Sequence, residues 1–172
     1  FSKLLSLYLI FFLICFQGFI GWYMVRSGLV DRVDVSHFRL SVHLIIAFII
    51  LSLIFWNFLK LNLSNNNIIK INLFIPSFFL LIIFLQILIG AFVSGMDAGT
   101  IYNSWPLMGN SYFPDDNNLI NLFTFSAFSE PSIVQFFHRN LAYLILIFYL
   151  FILYKVYKNK IIGSYNSIKI IG

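Results

Sequence analysis

The sequence predicts an all-α fold, a polytopic transmembrane helical bundle, and three observations carry that prediction. Apolar residues make up 60% of the 172-residue chain and charged residues only 10%, a balance suited to lipid rather than water as solvent. Four apolar stretches are each long enough to cross a ~30 Å hydrocarbon layer, which takes ~20 helical residues. The charges are sorted by sign to opposite ends of those stretches.

The first span runs from Leu4 to Val25. It is too long for a signal peptide, and no small-residue cleavage site follows it. The others run from Phe38 to Leu61, Ile71 to Ser94 and Ile133 to Tyr157. Every lysine (Lys3, Lys60, Lys70, Lys155, Lys158, Lys160, Lys169) lies before the first span, between the second and third, or after the fourth. Every acid (Asp31, Asp34, Asp97, Asp115, Asp116, Glu130) lies at the opposite ends. Positive charge concentrates on the cytoplasmic side, so the lysine ends are read as inside. The net charge of +5 then calls for no nucleic-acid partner.

The connections differ in kind. Residues Asn62 to Asn67 form an asparagine-rich inner turn, and the sequon Asn62, Leu63, Ser64 is a chance match on the cytoplasmic side. The outer connection from Gly95 to Ser132 is long and carries Gly95, Gly99, Trp105, Pro106, Gly109 and Pro114, which marks a functional loop rather than a linker. Trp22, Tyr23, Tyr102 and Trp105 suit an interfacial aromatic belt, the preferred reading for Trp22 and Tyr23. Cys15 reads as a packing residue in mid-span with no partner for a disulfide.

Two histidines stand out. His43 and His138 each lie about one and a half turns inside an apolar run, ~8 Å deep at ~1.5 Å per residue. An ionisable residue there faces a bundle interior and marks a functional site. Arg39 precedes His43 by one helical turn, and Arg139 follows His138 directly. Imidazole can ligate iron and guanidinium can neutralise a propionate, so the pairing suits a heme. Four arginines (Arg26, Arg32, Arg39, Arg139) lie on the acidic side, against the topology rule. Arg32 fits either a pairing with Asp31, Asp34 or Glu130, or an anionic ligand. For Arg39 and Arg139 a bound anionic group is preferred. His37 lies six residues before His43, about 120° away around the helix, and reads as an interfacial residue at the helix start. A short echo also appears where two spans exit outward. Arg26, Ser27, Gly28, Leu29, with Asp31 beyond, is matched in outline by Val93, Ser94, Gly95, Met96, Asp97.

Four stretches carry a family resemblance: Gly21 to Asp31 (GWYMVRSGLVD), Val35 to Leu44 (VSHFRLSVHL), Gly90 to Met108 (GAFVSGMDAGTIYNSWPLM) and Val134 to Tyr143 (VQFFHRNLAY). In order and position they resemble the heme A synthases, over essentially the whole chain, in the form that lacks a loop cysteine pair. The resemblance implies eight transmembrane helices in two four-helix bundles, each with two histidines able to hold a heme. It places residues 1–61 as the third and fourth helices, 62–70 as a cytoplasmic loop, and 71–172 as the fifth and sixth helices with the outer loop 95–132. By that resemblance His43 would ligate the iron of the substrate heme and His138 that of heme b; spacing and position, rather than the resemblance, suggest that Arg39 and Arg139 contact propionates or support the ligands.

The family's glutamate near the reacting heme lies outside this chain, and Glu130 does not match it, so no catalytic residue is assigned. Asp97 and the Trp105, Pro106 turn match the family pattern and are assigned to shaping the outer cap. The implied reaction is oxidation of the C8 methyl of heme O to the formyl of heme A, with an unidentified electron donor. Heme O synthase and cytochrome oxidase assembly factors are the implied partners, and the bacterial inner membrane the implied location, with the mitochondrial inner membrane as alternative. Two rivals come from the residues alone: an electron-transfer subunit in which His43 and His138 grip one heme b together, and a transporter or assembly factor without heme. The chain begins at Phe1 without methionine and reads as a fragment, expected to be inactive and to bind heme weakly by itself.

Overall fold

A computed structural model describes residues 2–28, 35–62 and 74–158. Four long helices account for most of them: α1 (Ser2–Gly28), α2 (His37–Asn62), α3 (Phe74–Gly95) and α4 (Pro131–Lys158). All four are long and apolar enough to cross a membrane, as the sequence predicts. The third is described from Phe74 onward, and Ile71, where the sequence starts it, lies outside the described residues. Three short 3₁₀ turns, Ala98–Thr100, Leu119–Phe123 and Phe125–Ser129, fall within the long connection between α3 and α4.

The spans pack in chain order: α1 on α2, α2 on α3, α3 on α4. Contacts between them show that each neighbour runs antiparallel to the last. Along α1 and α2, Asn57 Nδ2 donates to Ser6 Oγ at 2.8 Å while Gln17 Nε2 donates to the His43 carbonyl at 2.9 Å, so rising numbers meet falling ones. Between α2 and α3 the His37 backbone lies against Gly95 and Phe38 against Phe92. Between α3 and α4, Phe78 lies edge-on to Phe148 and Phe79 stacks on it, and Gln86 reaches His138. Lys60, Lys155 and Lys158 therefore share one end, and the α3–α4 connection caps the other.

Most apolar side chains of the spans point outward, among them Leu5, Tyr8, Phe11, Phe12, Leu51, Phe55, Leu81 and Ile147. With hydrocarbon as solvent that exposure has no penalty, and close packing and polar contacts decide how the helices meet. Cys15 is also exposed, so the packing role expected for it is not found within this chain. The tightest core sits where α4 begins beneath the cap, around Met108, Pro114, Ser132, Ile133 and Val134.

Gly95 makes the central crossing possible. A Cβ there would stand 2.9 Å from both Cα and Cβ of His37, so only a glycine lets α3 come this close to the start of α2. His37, the first residue of α2, fills the junction. Its ring lies edge-on to Phe92 at 5.2 Å and tilted against Phe38 at 4.2 Å. It stands at the helix start, as expected.

Candidate heme-binding site

Each histidine is set by the helix that precedes its own. The ring of His43 lies against Gly21 of α1, where a Cβ would meet Cε1 at 3.1 Å and Nδ1 at 3.7 Å. The ring of His138 lies against Gly90 of α3 with the same two distances. One helical turn before each glycine stands a glutamine: Gln17 donates to the His43 carbonyl at 2.9 Å, and Gln86 to the His138 carbonyl at 3.3 Å. The same four-part unit of glutamine, glycine, histidine and bridging hydrogen bond is thus built twice, once per helix pair.

The physical reason for the unit is plain at each position. Inside an apolar segment a carboxamide must find a partner, and a carbonyl on the adjacent helix is one of the few available. The bond fixes helix register. The glycine a turn later then leaves a flat surface for the imidazole ring.

Both rings carry an unsatisfied atom. Nδ1 of His43 and Nδ1 of His138 are buried with no hydrogen-bond partner, as are Oε1 of Gln17 and Oε1 of Gln86. An orphaned polar atom at such depth costs roughly 1–3 kcal/mol, so four of them gathered around two histidines point to a ligand. Among the described residues no three His, Cys, Asp or Glu side chains gather to hold a bare metal ion. A single imidazole per helix pair suits an iron whose equatorial ligands come ready-made, as in a porphyrin. The residues fit a heme.

His37 does not join either site. Its Nε2 is buried without a partner, but its ring is held among Phe38 and Phe92 at the α2–α3 junction.

The arginines separate. Arg39 lies one turn from His43 on the same helix, its guanidinium 5.5 Å from the centre of the Tyr23 ring, and Arg26 stands 5.2 Å over Trp22. Both are cation–π contacts, the first joining α2 to α1 and the second lying within α1. The guanidinium of Arg139 is turned to the cap: Nη2 donates to the Tyr102 carbonyl at 2.6 Å and Nη1 to the Ser104 carbonyl at 2.9 Å. Arg32, Asp31 and Asp34 lie outside the described residues, and with them the pairing considered for Arg32. Leu29 and Asp31 of the sequence echo lie there too.

The cap is held from α4. Gln135, one turn before Arg139, brackets Tyr102 by accepting from its N–H at 3.3 Å and donating to its carbonyl at 3.0 Å. Trp105 Nε1 donates to Tyr143 Oη at 2.7 Å, and Tyr112 Oη donates to Asn140 Oδ1 at 2.6 Å. Asn117 reaches Ser132 Oγ at 2.7 Å. Gly109 turns the loop with φ +89, a left-handed conformation that favours glycine. Asp97, with φ 50, starts the first 3₁₀ turn. Asp97 and Trp105 therefore belong to the cap, where the sequence reading put them.

Two electrostatic features mark the loop. Asp115 accepts from the Asn110 N–H at 2.6 Å, and that bond, helped by Ser111, holds its carboxyl below the usual range. Tyr102 is pushed up, chiefly by desolvation and then by its hydrogen bond to Asp116.

Comparisons with known proteins point to one family. The family model described as cytochrome oxidase assembly protein (COX15-CtaA) matches residues 2–169. A protein named heme A synthase from Pelagibacter ubique is 54% identical over 157 residues, covering 89% of this chain and 45% of that relative. The heme A synthase of Rickettsia bellii is 47% identical over 146 residues, covering 81% and 43%, and that of Rickettsia prowazekii is 42% identical over 140 residues, covering 80% and 41%. The chain thus spans less than half the length of these relatives. No solved structure matches it. With four membrane-spanning helices in the expected order and a family model running almost from end to end, the chain belongs to the cytochrome oxidase assembly protein family.

Proposed function

We propose that this chain is the middle portion of a heme A synthase, which oxidises the C8 methyl of heme O to the formyl group of heme A in the inner membrane. The observation that carries the reading is the duplicated unit: two helix pairs, each presenting one histidine with a buried, unpartnered ring nitrogen beside a glycine. The relatives named heme A synthase supply the chemistry that the duplication alone does not.

What supports two heme sites rather than one is the packing. His43 faces α1 and His138 faces α3, and the spans contact one another in chain order. A single heme gripped by both histidines would need α2 and α4 to face each other. In this reading His43 ligates the substrate heme and His138 a resident heme b, both near the outer face of the membrane.

When bound, heme supplies an iron centre able to change oxidation state and so to pass electrons. The chain supplies the rest. His43 and His138 present the imidazoles. Gln17 and Gln86 hold the two helix pairs in register, and Gly21 and Gly90 keep the rings accessible. Arg39 is the group proposed to meet a propionate beside His43. Arg139 supports the His138 side by fixing the cap. An electron donor and the remaining ligands, one histidine per pair and the family's glutamate, belong to the rest of the protein.

The test uses the full-length protein and heme typing of its extracted pigment. Heme b together with heme O and heme A in the wild type, with His43→Ala losing the latter two while keeping heme b, supports the proposal. Loss of one common heme b on substituting either histidine overturns it in favour of a one-heme electron carrier.

A further inference from the structure

The connection between α3 and α4 is anchored on one side and bare on the other. Its two later 3₁₀ turns, Leu119–Phe123 and Phe125–Ser129, are closed by main-chain bonds: the N–H groups of Asn121, Thr124 and Ala127 donate to the carbonyls of Asn118, Asn121 and Thr124. On the anchored side Asn121 Nδ2 donates to Asn117 Oδ1 at 3.1 Å, and Asn117 reaches Ser132 of α4. Ala127 is buried, and the Phe128 ring lies 6.1 Å from that of Phe92 in α3 and 6.0 Å from that of Phe137 in α4. The other side presents Leu119, Ile120, Phe123 and Phe125, exposed by 62%, 78%, 91% and 81%. Residues 117–129 carry no charged side chain, although Asp115, Asp116 and Glu130 flank them.

Four large apolar groups on hydrogen-bonded backbone form a patch that calls for a covering other than water. We propose that the paired 3₁₀ turns are an interfacial element whose apolar side inserts into the lipid leaflet on the cap side of the membrane. Depth is the first argument. Phe137 lies six residues into α4, about 9 Å along its axis at ~1.5 Å per residue, so the turn that carries Phe128 sits beside the ends of the spans rather than above them. Continuity is the second. Phe125 meets Phe128 at 6.1 Å, which joins the patch to spans whose own apolar side chains point outward to lipid. The absence of charge between the flanking acids is the third, because an ionised group is costly at that depth. The patch is also separate from the candidate heme site. The His138 ring rests on Gly90, whereas Phe92, two residues on, faces about 160° away around α3 at 3.6 residues per turn. The turns therefore lie on the side of α3 away from the ring, and the placement stands apart from the heme reading.

The experiment uses the full-length protein in phosphatidylcholine vesicles, with a nitroxide on a single cysteine in a cysteine-free background. Ile120→Cys, Phe123→Cys and Phe125→Cys are read by EPR for collision with oxygen, which concentrates in lipid, and with a nickel chelate, which stays in water. Leu81→Cys on the exposed face of α3 is the lipid reference, and Asn110→Cys in the loop is the water reference. The three labels are expected to be mobile, with an oxygen-to-nickel ratio several-fold above that of Asn110→Cys and a depth of about 5–10 Å below the headgroups. A ratio equal to that of Asn110→Cys means that the patch stands in water and overturns the proposal. Immobile labels shielded from both reagents mean that the rest of the protein, or a second copy, covers the patch, and overturn it too. Each label sits on an exposed side chain and reports by itself, so loss of one variant to misfolding leaves the others to decide. Heme content does not enter the readout, so this placement and the functional reading fail separately.

Discussion

Arg139 of α4 donates to the carbonyl oxygen of Tyr102 at 2.6 Å, so the residue directly after a candidate ligand histidine is tied to the cap above it. His138 is thereby one residue away from the point at which α4 grips the α3–α4 connection.

Replacing Arg139 by alanine strips the Tyr102 and Ser104 carbonyls of a charged donor. Hydrogen bonds to charged groups contribute about 1.5–3 kcal/mol each, and the exposed part of this clamp lies toward the lower end. Hydrogen–deuterium exchange in residues 100–108 should rise by at least about 10-fold, the equivalent of ~1.4 kcal/mol. Arg139→Lys keeps the charge but not the fork and should fall between alanine and wild type. Unchanged exchange with a shifted heme potential would assign Arg139 to a propionate instead.

Gly90→Ala and Gly21→Ala each place a methyl 3.1 Å from an imidazole carbon. The ring must give by a few tenths of an ångström, at a cost of about 1–3 kcal/mol as for other overpacked sites. Each variant should weaken heme retention at its own histidine and leave the other heme's absorption unaltered. Loss of both signals from either variant would show that the sites are not independent.

Gly95→Ala meets backbone rather than a side chain, at 2.9 Å from Cα of His37, so α2 and α3 must part. Gly18 is its control, with nothing within 4 Å of an added Cβ. Thermal unfolding in detergent should show Gly95→Ala destabilised, and Gly18→Ala unchanged or slightly stabilised through better helix propensity. Equal melting of the two variants would remove the close α2–α3 crossing from the account.

The acid response of the cap follows from Asp115. Its carboxyl is held below its ordinary value, first by the Asn110 N–H. A depressed folded value means its contribution is fully present above the unfolded carboxylate range, near ~4, and is lost as pH falls through the folded value. Loop amide protection should therefore be flat from neutral pH down to about 4 and decline only in stronger acid. Asp115→Asn should abolish that acid step. A decline already under way between about pH 5 and 7 would point to a histidine as the titrating group.

The spans were legible because hydropathy has only one use at that length, and His43 and His138 because an ionisable group in an apolar run is conspicuous. Gln17 and Gln86 were not. A neutral amide costs far less to bury than a charge, and its partner is a backbone carbonyl on another helix, which leaves no mark in the residue types. The readable trace was a glutamine four positions before a glycine, twice, each time ahead of a histidine-bearing helix. The echo noticed instead pairs Gly28 with Gly95, two positions out of step with the register of Gln17 and Gly21 against Gln86 and Gly90. Gln135 escaped notice for the same reason as the other glutamines: its partners are the main-chain atoms of Tyr102. Loop carbonyls likewise gave no hint that they would occupy Arg139.

Eight residues join α1 to α2, and thirty-five join α3 to α4. The entropy of closing a loop grows only with the logarithm of its length, so the longer connection costs about 1 kcal/mol more. Enlarging the connection of one helix pair is thus nearly free on the scale of folding, while the histidine and its glycine neighbour need no change. Two helix pairs with like histidine settings can therefore differ first in the lengths of their connections and only later in the residues around their histidines.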